Sequence, residues 1–94
     1  MSKVVAAAVE ALKAKVPSFD SSAKFVIRDE GSIIIDESGV REGDEETEVT
    51  LTADRETFEG LLNGEVNATA AYMTGKLQLD GSMGVALKLA ALLA

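Results

Sequence analysis

The last thirteen residues, Ser82-Met-Gly-Val-Ala-Leu-Lys-Leu-Ala-Ala-Leu-Leu-Ala94, carry a single charged side chain, Lys88. A helix on the surface of a globular domain shows one apolar stripe and one polar face. Here Met83, Val85, Leu87, Leu89, Leu92 and Leu93 point all the way round. Such a helix must be covered by core, by a partner or by a bound apolar molecule. It is too short to cross a bilayer, which takes about 20 apolar residues. In a chain of 94 residues one core can hardly cover both of its faces, so the second face is where function is to be sought.

The length corresponds to a single domain, residues 1–94, with one core of limited thickness. The aromatics are Phe19, Phe25, Phe58 and Tyr72, so the core is aliphatic. The formal net charge of −7 repels phosphate backbones, which argues against a nucleic-acid partner. It also disfavours tight docking on anionic lipid, though transient membrane contact is compatible with it. There is no Cys and no His. Disulfides, thiol nucleophiles, Cys/His zinc sites and histidine acid–base chemistry are therefore excluded. The N-terminus does not read as a signal peptide and Leu-Leu-Ala is not a peroxisomal address. The expected location is the cytoplasm of a bacterium or archaeon.

Residues 3–16 read as a helix, with Val4, Val5, Ala8, Val9, Leu12 and Val16 on its apolar stripe. Ser2 can cap its start and Pro17 ends it. Residues 22–28 alternate as a strand with Ala23, Phe25 and Ile27 inward. Asp29-Glu-Gly-Ser32 is a turn, and Ile33-Ile-Ile-Asp36 returns as the partner strand. Three consecutive isoleucines predict cover on both faces. A polar loop follows, with a short strand near Val40. Residues 47–53 then alternate with Val49, Leu51 and Ala53 inward. Asp54 caps a helix carrying Phe58, Leu61 and Leu62, closed by Asn63-Gly64. Asn67 caps a second short helix, Ala68 to Met73, before a strand at 76–80 with Leu77 and Leu79 on one face. Gly81-Ser82 starts the final helix. The order predicts an α+β fold, a sheet with helices laid on one face.

Three constellations carry chemistry. Phe58, Leu61, Leu62, Ala71, Tyr72, Met73, Leu77, Leu79, Met83 and Leu87 sit on short elements that line either an ordinary core or an apolar pocket. The thioethers of Met73 and Met83 suit variable contents. The acidic stretch from Asp29 to Glu48 lacks the ligand offsets of a calcium loop and reads as a solvated surface; no metal site is expected. Tyr72 with a carboxylate such as Glu65 could enolise a ketone, but the spacing favours a structural tyrosine. Gly75 and Lys76 lack the glycine and Ser/Thr of a phosphate loop, because Ala70 and Leu77 stand there.

From Thr57 to Leu93 the chain resembles the sterol carrier protein-2 lipid-transfer family. The resemblance rests on Phe58, Leu61 and Gly64 in a Phe-x-x-Leu-x-x-Gly helix, and on Ala71, Met73, Gly75, Lys76 and Leu77. A third segment matches at Gly81, Met83, Gly84, Ala86, Lys88 and Leu89. The N-terminal half matches in layout, with a short connection after the first helix and no tryptophan. The resemblance implies a mainly antiparallel five-stranded sheet covered on one face by helices, with a hydrophobic tunnel between them. It implies a non-catalytic carrier of fatty acids, acyl-CoA, sterol-like lipids or phospholipids, with no cofactor. The expected lipid-binding residues are Phe25, Ile27, Val49, Leu51, Phe58, Leu61, Leu62, Ala71, Tyr72, Met73, Leu77, Leu79, Met83 and Leu87. A monomer or weak homodimer is expected. The competing expectation is an interaction or dimerisation module using the apolar C-terminal helix.

Overall fold

In the computed structural model, which describes residues 3–93, α1 spans Lys3–Lys15. It buries Val5, Ala8 and Leu12, and the Val16 amide closes its last turn on the Leu12 carbonyl (2.7 Å). Lys13 and Lys15 stand in that last turn, where positive charge complements the exposed carbonyls. Ser2, the expected cap, lies outside the described residues.

Five strands follow from the alternating segments: β1 (Ala23–Ile27), β2 (Gly31–Asp36), β3 (Gly39–Glu42), β4 (Val49–Ala53) and β5 (Leu77–Gly81). They lie in the order β3-β2-β1-β4-β5. All neighbours are antiparallel except β1 and β4, which run parallel with Phe25 opposite Leu51. The β1–β2 turn places Asp29 at φ 65°, a conformation aspartate tolerates better than most residues. α2 (Arg55–Asn63), α3 (Ala68–Met73) and α4 (Met83–Leu93) complete the chain. Asp54 accepts from the Thr57 amide (2.7 Å) and Asn67 from the Ala70 amide (3.0 Å), each satisfying a donor at a helix start. Gly64 and Gly75 flank α3, both at positive φ and both with open space where a side chain would point.

All four helices add residues to one apolar cluster with the inward side chains of the strands, so they cover the same face of the sheet. The opposite face is polar apart from the half-buried Val26 and from Ile34, which is only 1% exposed. Its cover is the loop after β3. The Gly43 amide donates to the Ser32 carbonyl (3.1 Å), the Ser32 hydroxyl to the Gly43 carbonyl (2.6 Å), and Lys24 pairs with Asp44 (2.8 Å). The triple isoleucine is thus covered on both faces. In the same region Arg41 makes two 3.0 Å bonds to Asp36 and also pairs with Glu45 (2.9 Å). That guanidinium, assisted by the Ser38 amide, holds the Asp36 carboxyl below its ordinary value, against a weaker opposing effect of burial.

Candidate functional site

α4 divides into two apolar faces. Val85, Ala86, Leu89 and Leu93 are buried, while Met83, Leu87 and Leu92 remain exposed, Leu87 at 58%. The Ser82 hydroxyl accepts from the Val85 amide (3.3 Å) and fixes the helix start directly after β5. Chain direction reverses there, so α4 lies back across the sheet and touches β4, β1 and β5. α3 packs on β5.

Between α3, α4 and the β4–β5 pair lies a cleft of ≈ 270 Å³. Its floor is Leu51 opposite Leu79, continued by Leu77. One wall is Ala68, Thr69, Tyr72 and Met73 of α3. The other is Met83, Ala86, Leu87 and Ala90 of α4, at i, i+3, i+4 and i+7. The lining is apolar apart from the Thr69 and Tyr72 hydroxyls. Met73, 79% exposed, and Leu87 form an open rim.

Two grooves continue the cleft. One, of ≈ 550 Å³, runs along the C-terminal half of α4 below the α2–α3 connection; it shares Ala68, Thr69, Leu87 and Ala90 with the cleft. The other wraps round the edge strand β5 and shares Tyr72, Met73, Leu77 and Leu79. A further groove of ≈ 470 Å³ between α1 and α2 is larger than the cleft, but Lys3, Arg55, Glu59 and Asn63 crowd its lining. Of these four, the α3–α4 cleft has the most nearly unbroken apolar surface.

Of the fourteen residues expected to bind lipid, Leu51, Tyr72, Met73, Leu77, Leu79, Met83 and Leu87 line this cleft. The other seven lie elsewhere. Phe25, Ile27 and Val49 sit in the closed core, at most 1% exposed. Phe58 packs edge-on against Phe25, ring centroids 5.0 Å apart, beneath α2. Leu61 faces the α4 groove, Leu62 the α1–α2 groove, and Ala71 is buried behind the cleft wall. The physical reason is the strand order. β1 is central and lies beneath α4, with Phe25 against Phe58 of α2, so its inward side chains are closed off, whereas the apolar cleft opens at the β4–β5 margin. Ala68, Thr69, Ala86 and Ala90 also line the cleft, and none carries a side chain large enough to stand out in the sequence. The helical stripe Met83, Ala86, Leu87, Ala90 was the signal available.

The arrangement can hold an alkyl chain or a flat apolar skeleton. Among the described residues no group of three or more acidic side chains is placed to hold a metal ion. Among the same residues no helix is long and apolar enough to cross a membrane.

The sequence profile of the SCP-2 sterol transfer family matches residues 2–94. Peroxisomal multifunctional enzyme A of Dictyostelium discoideum is 40% identical over 63 residues, 67% of this chain and 13% of that protein. A hydroxysteroid dehydrogenase-like protein 2 of Xenopus laevis is 39% identical over 56 residues, 57% of this chain and again 13% of the relative. The chain therefore spans about an eighth of these relatives. Among solved structures, the sterol carrier protein 2 of Aedes aegypti in complex with palmitate superposes with a TM-score of 0.73 at 22% identity, covering 97% of this chain and 91% of that one. The sterol carrier protein domain 2 of Helicoverpa armigera gives 0.71 at 26% identity, covering 97% and 83%. These likenesses match the five-stranded, mostly antiparallel sheet and its helices.

Proposed function

The chain belongs to the SCP-2 sterol transfer family, and from that premise we propose that it is a non-catalytic lipid carrier holding the apolar part of its cargo in the α3–α4 cleft. The observation that carries this reading is the almost unbroken apolar lining of the cleft, one wall of which is α4, a helix apolar on both faces. The palmitate complex of the Aedes protein, built on the same fold, supports it.

The magnitudes fit a carrier. At about 30 Å³ per small group, ≈ 270 Å³ accommodates about nine methylenes. At about 0.8 kcal/mol each they contribute about 7 kcal/mol gross. Association offsets at least about 4 kcal/mol of that, leaving weak binding. A chain that continues into the adjoining α4 groove reaches about twelve methylenes and about 10 kcal/mol gross. The resulting affinity lies between millimolar and micromolar, strong enough to load and weak enough to release. Because the rim is open, the unloaded cleft is wetted and escapes most of the penalty of a sealed void.

Gentle purification followed by native mass spectrometry, with analysis of organic extracts, tests the reading. A bound lipid, or a thermal shift with at least one single-chain lipid or sterol from a panel, supports it. A bare mass together with no shift across the whole panel rejects it.

A second reading is favoured by Leu92, which is 46% exposed and lines none of these cavities. It is the outward apolar face of α4 seated on a second copy. Light scattering decides between the two: a stable dimer that persists in the presence of lipid supports the interface, and a monomer over the micromolar range removes it.

A further inference from the structure

Cysteine, tryptophan and histidine are absent from the sequence, and its methionines are Met1, Met73 and Met83. With no thiol to compete, the thioethers are the groups that a peroxide oxidises first. Met1 lies outside the described residues. The other two both line the α3–α4 cleft, and both are open to water, Met73 at 79% and Met83 at 45% exposure. Neither fills a gap in the core: the buried cluster is built of Val, Ile, Leu, Ala and Phe. The two thioethers stand at opposite ends of β5. Met73 is the last residue of α3 and Met83 the first of α4. The five residues of β5 lie between them, a span of roughly 15 Å. An alkyl chain laid along the cleft passes at least one of the two.

A hydroperoxide changes this surface by a single oxygen transfer. The Sδ lone pair attacks one peroxide oxygen, the O–O bond breaks and an S–O bond forms. Sulfur loses two electrons. For hydrogen peroxide, the proton on the transferred oxygen passes to the departing hydroxide, and water leaves. An apolar thioether has become a polar sulfoxide. In the empty cleft the sulfoxide oxygen is hydrated. Beneath an alkyl chain that water is stripped away, and methylenes offer no donor in its place. The penalty therefore falls on the loaded state, about tenfold in affinity for a covered sulfoxide.

We propose that Met73 and Met83 form an oxidation site that unloads the cleft: a water-soluble hydroperoxide converts both to sulfoxides, and the carrier releases its cargo while keeping its fold. Methionine sulfoxide reductases, one for each sulfoxide epimer, reverse the change. The inference rests on the carrier reading above and adds a control to that same site.

The test treats the intact chain with hydrogen peroxide, quenches it, and titrates a fluorescent alkyl probe, pyrenedodecanoate. Trypsin cuts after Lys76, placing Met73 in residues 56–76 and Met83 in residues 77–88. Mass spectrometry thus reads the two sites separately, and both apart from Met1. Met73 should gain oxygen faster than Met83, in the order of their exposure. Affinity should fall roughly tenfold or more once both are oxidised. The urea midpoint of the unloaded protein should stay close to that of the untreated protein. Treatment with both reductases should restore binding. The double variant Met73→Leu with Met83→Leu keeps volume and apolarity; measured against its own untreated form, it should not respond to peroxide. Sulfoxides at both positions with undiminished affinity, resistance of either methionine to oxidation, loss of binding through unfolding, or an equal response in the double variant overturns the proposal. Each of those outcomes leaves the carrier reading standing. An untreated protein that binds neither the probe nor any lipid of the panel overturns the carrier reading, and this proposal with it.

Discussion

Replacing Leu87 by aspartate separates the cleft from the core. Leu87 is 58% exposed, so it contributes less than half of the 1.5–3 kcal/mol that full burial of a leucine supplies, about 1 kcal/mol. The poorer helix propensity of aspartate adds about 0.5 kcal/mol. A total loss of about 1.5 kcal/mol corresponds to a fall in Tm of roughly 6–12 °C for a domain of this size. The effect on binding is larger. Leu87 lines both the cleft and the α4 groove, and an alkyl chain laid there strips water from the new carboxylate. A charged group left without partners costs about 3 kcal/mol or more, over a hundredfold in affinity. Leu89→Ala is the counterpart. Leu89 is 0% exposed and touches no part of the lining, so its truncation should cost about 2–5 kcal/mol of stability and leave the affinity of the folded protein nearly unchanged. Urea unfolding and probe titration on both variants give the comparison. Should Leu87→Asp lose stability as severely as Leu89→Ala, or retain wild-type binding, the separation is wrong.

Four further outcomes are expected. Ala90→Phe, which projects a ring into the junction of cleft and groove, should abolish binding of chains longer than about ten carbons while changing Tm by a few degrees at most, read by titration with a chain-length series. Asp54→Ala removes the acceptor of the Thr57 amide and should lower unfolding free energy by about 1 kcal/mol. Gly81→Ala should be among the most damaging single changes, by about 2 kcal/mol or more in urea unfolding, because Gly81 has φ 112° and its Cβ would strike the Glu48 carbonyl and Val49 backbone. Asp36, bonded by Arg41, and Asp54, bonded by the Thr57 amide, both have lowered pKa values when folded. Their stabilisation is therefore fully present above the unfolded carboxylate pKa of about 3.9 and is lost as pH falls through the folded values. Tm should hold steady down to about pH 5 and drop below about pH 4, with a shallower acid limb in Asp36→Asn.

Local chemistry was the legible part of the chain. Asp54, Asn67 and Gly64 mark helix ends because capping is decided by neighbours within four residues, and each does so in the structure. The alternation at Ala23, Phe25 and Ile27 and at Val49, Leu51 and Ala53 reports the inward face correctly. Alternation cannot report which strand lies next to which. The parallel pairing of β1 with β4 joins segments more than twenty residues apart and depends on the closure of the whole sheet. That non-local fact decides the site. An inward residue on β1 meets helices, as Phe25 meets Phe58 of α2, whereas Leu51 and Leu79 at the β4–β5 margin meet a cavity. Leu12 and Leu87 are equally apolar, and only tertiary position makes one core and the other rim.

α3 has only six residues and lies between two glycines at positive φ, Gly64 and Gly75. A helix of that length has no stability of its own in water, and Ala71 is its sole buried anchor. Whatever fills the hollow next to it supplies a second support along Ala68, Tyr72 and Met73. On the proposed carrier reading, residence of the guest and stiffness of this short segment are therefore coupled, and delivering the cargo is expected to slacken the wall that held it.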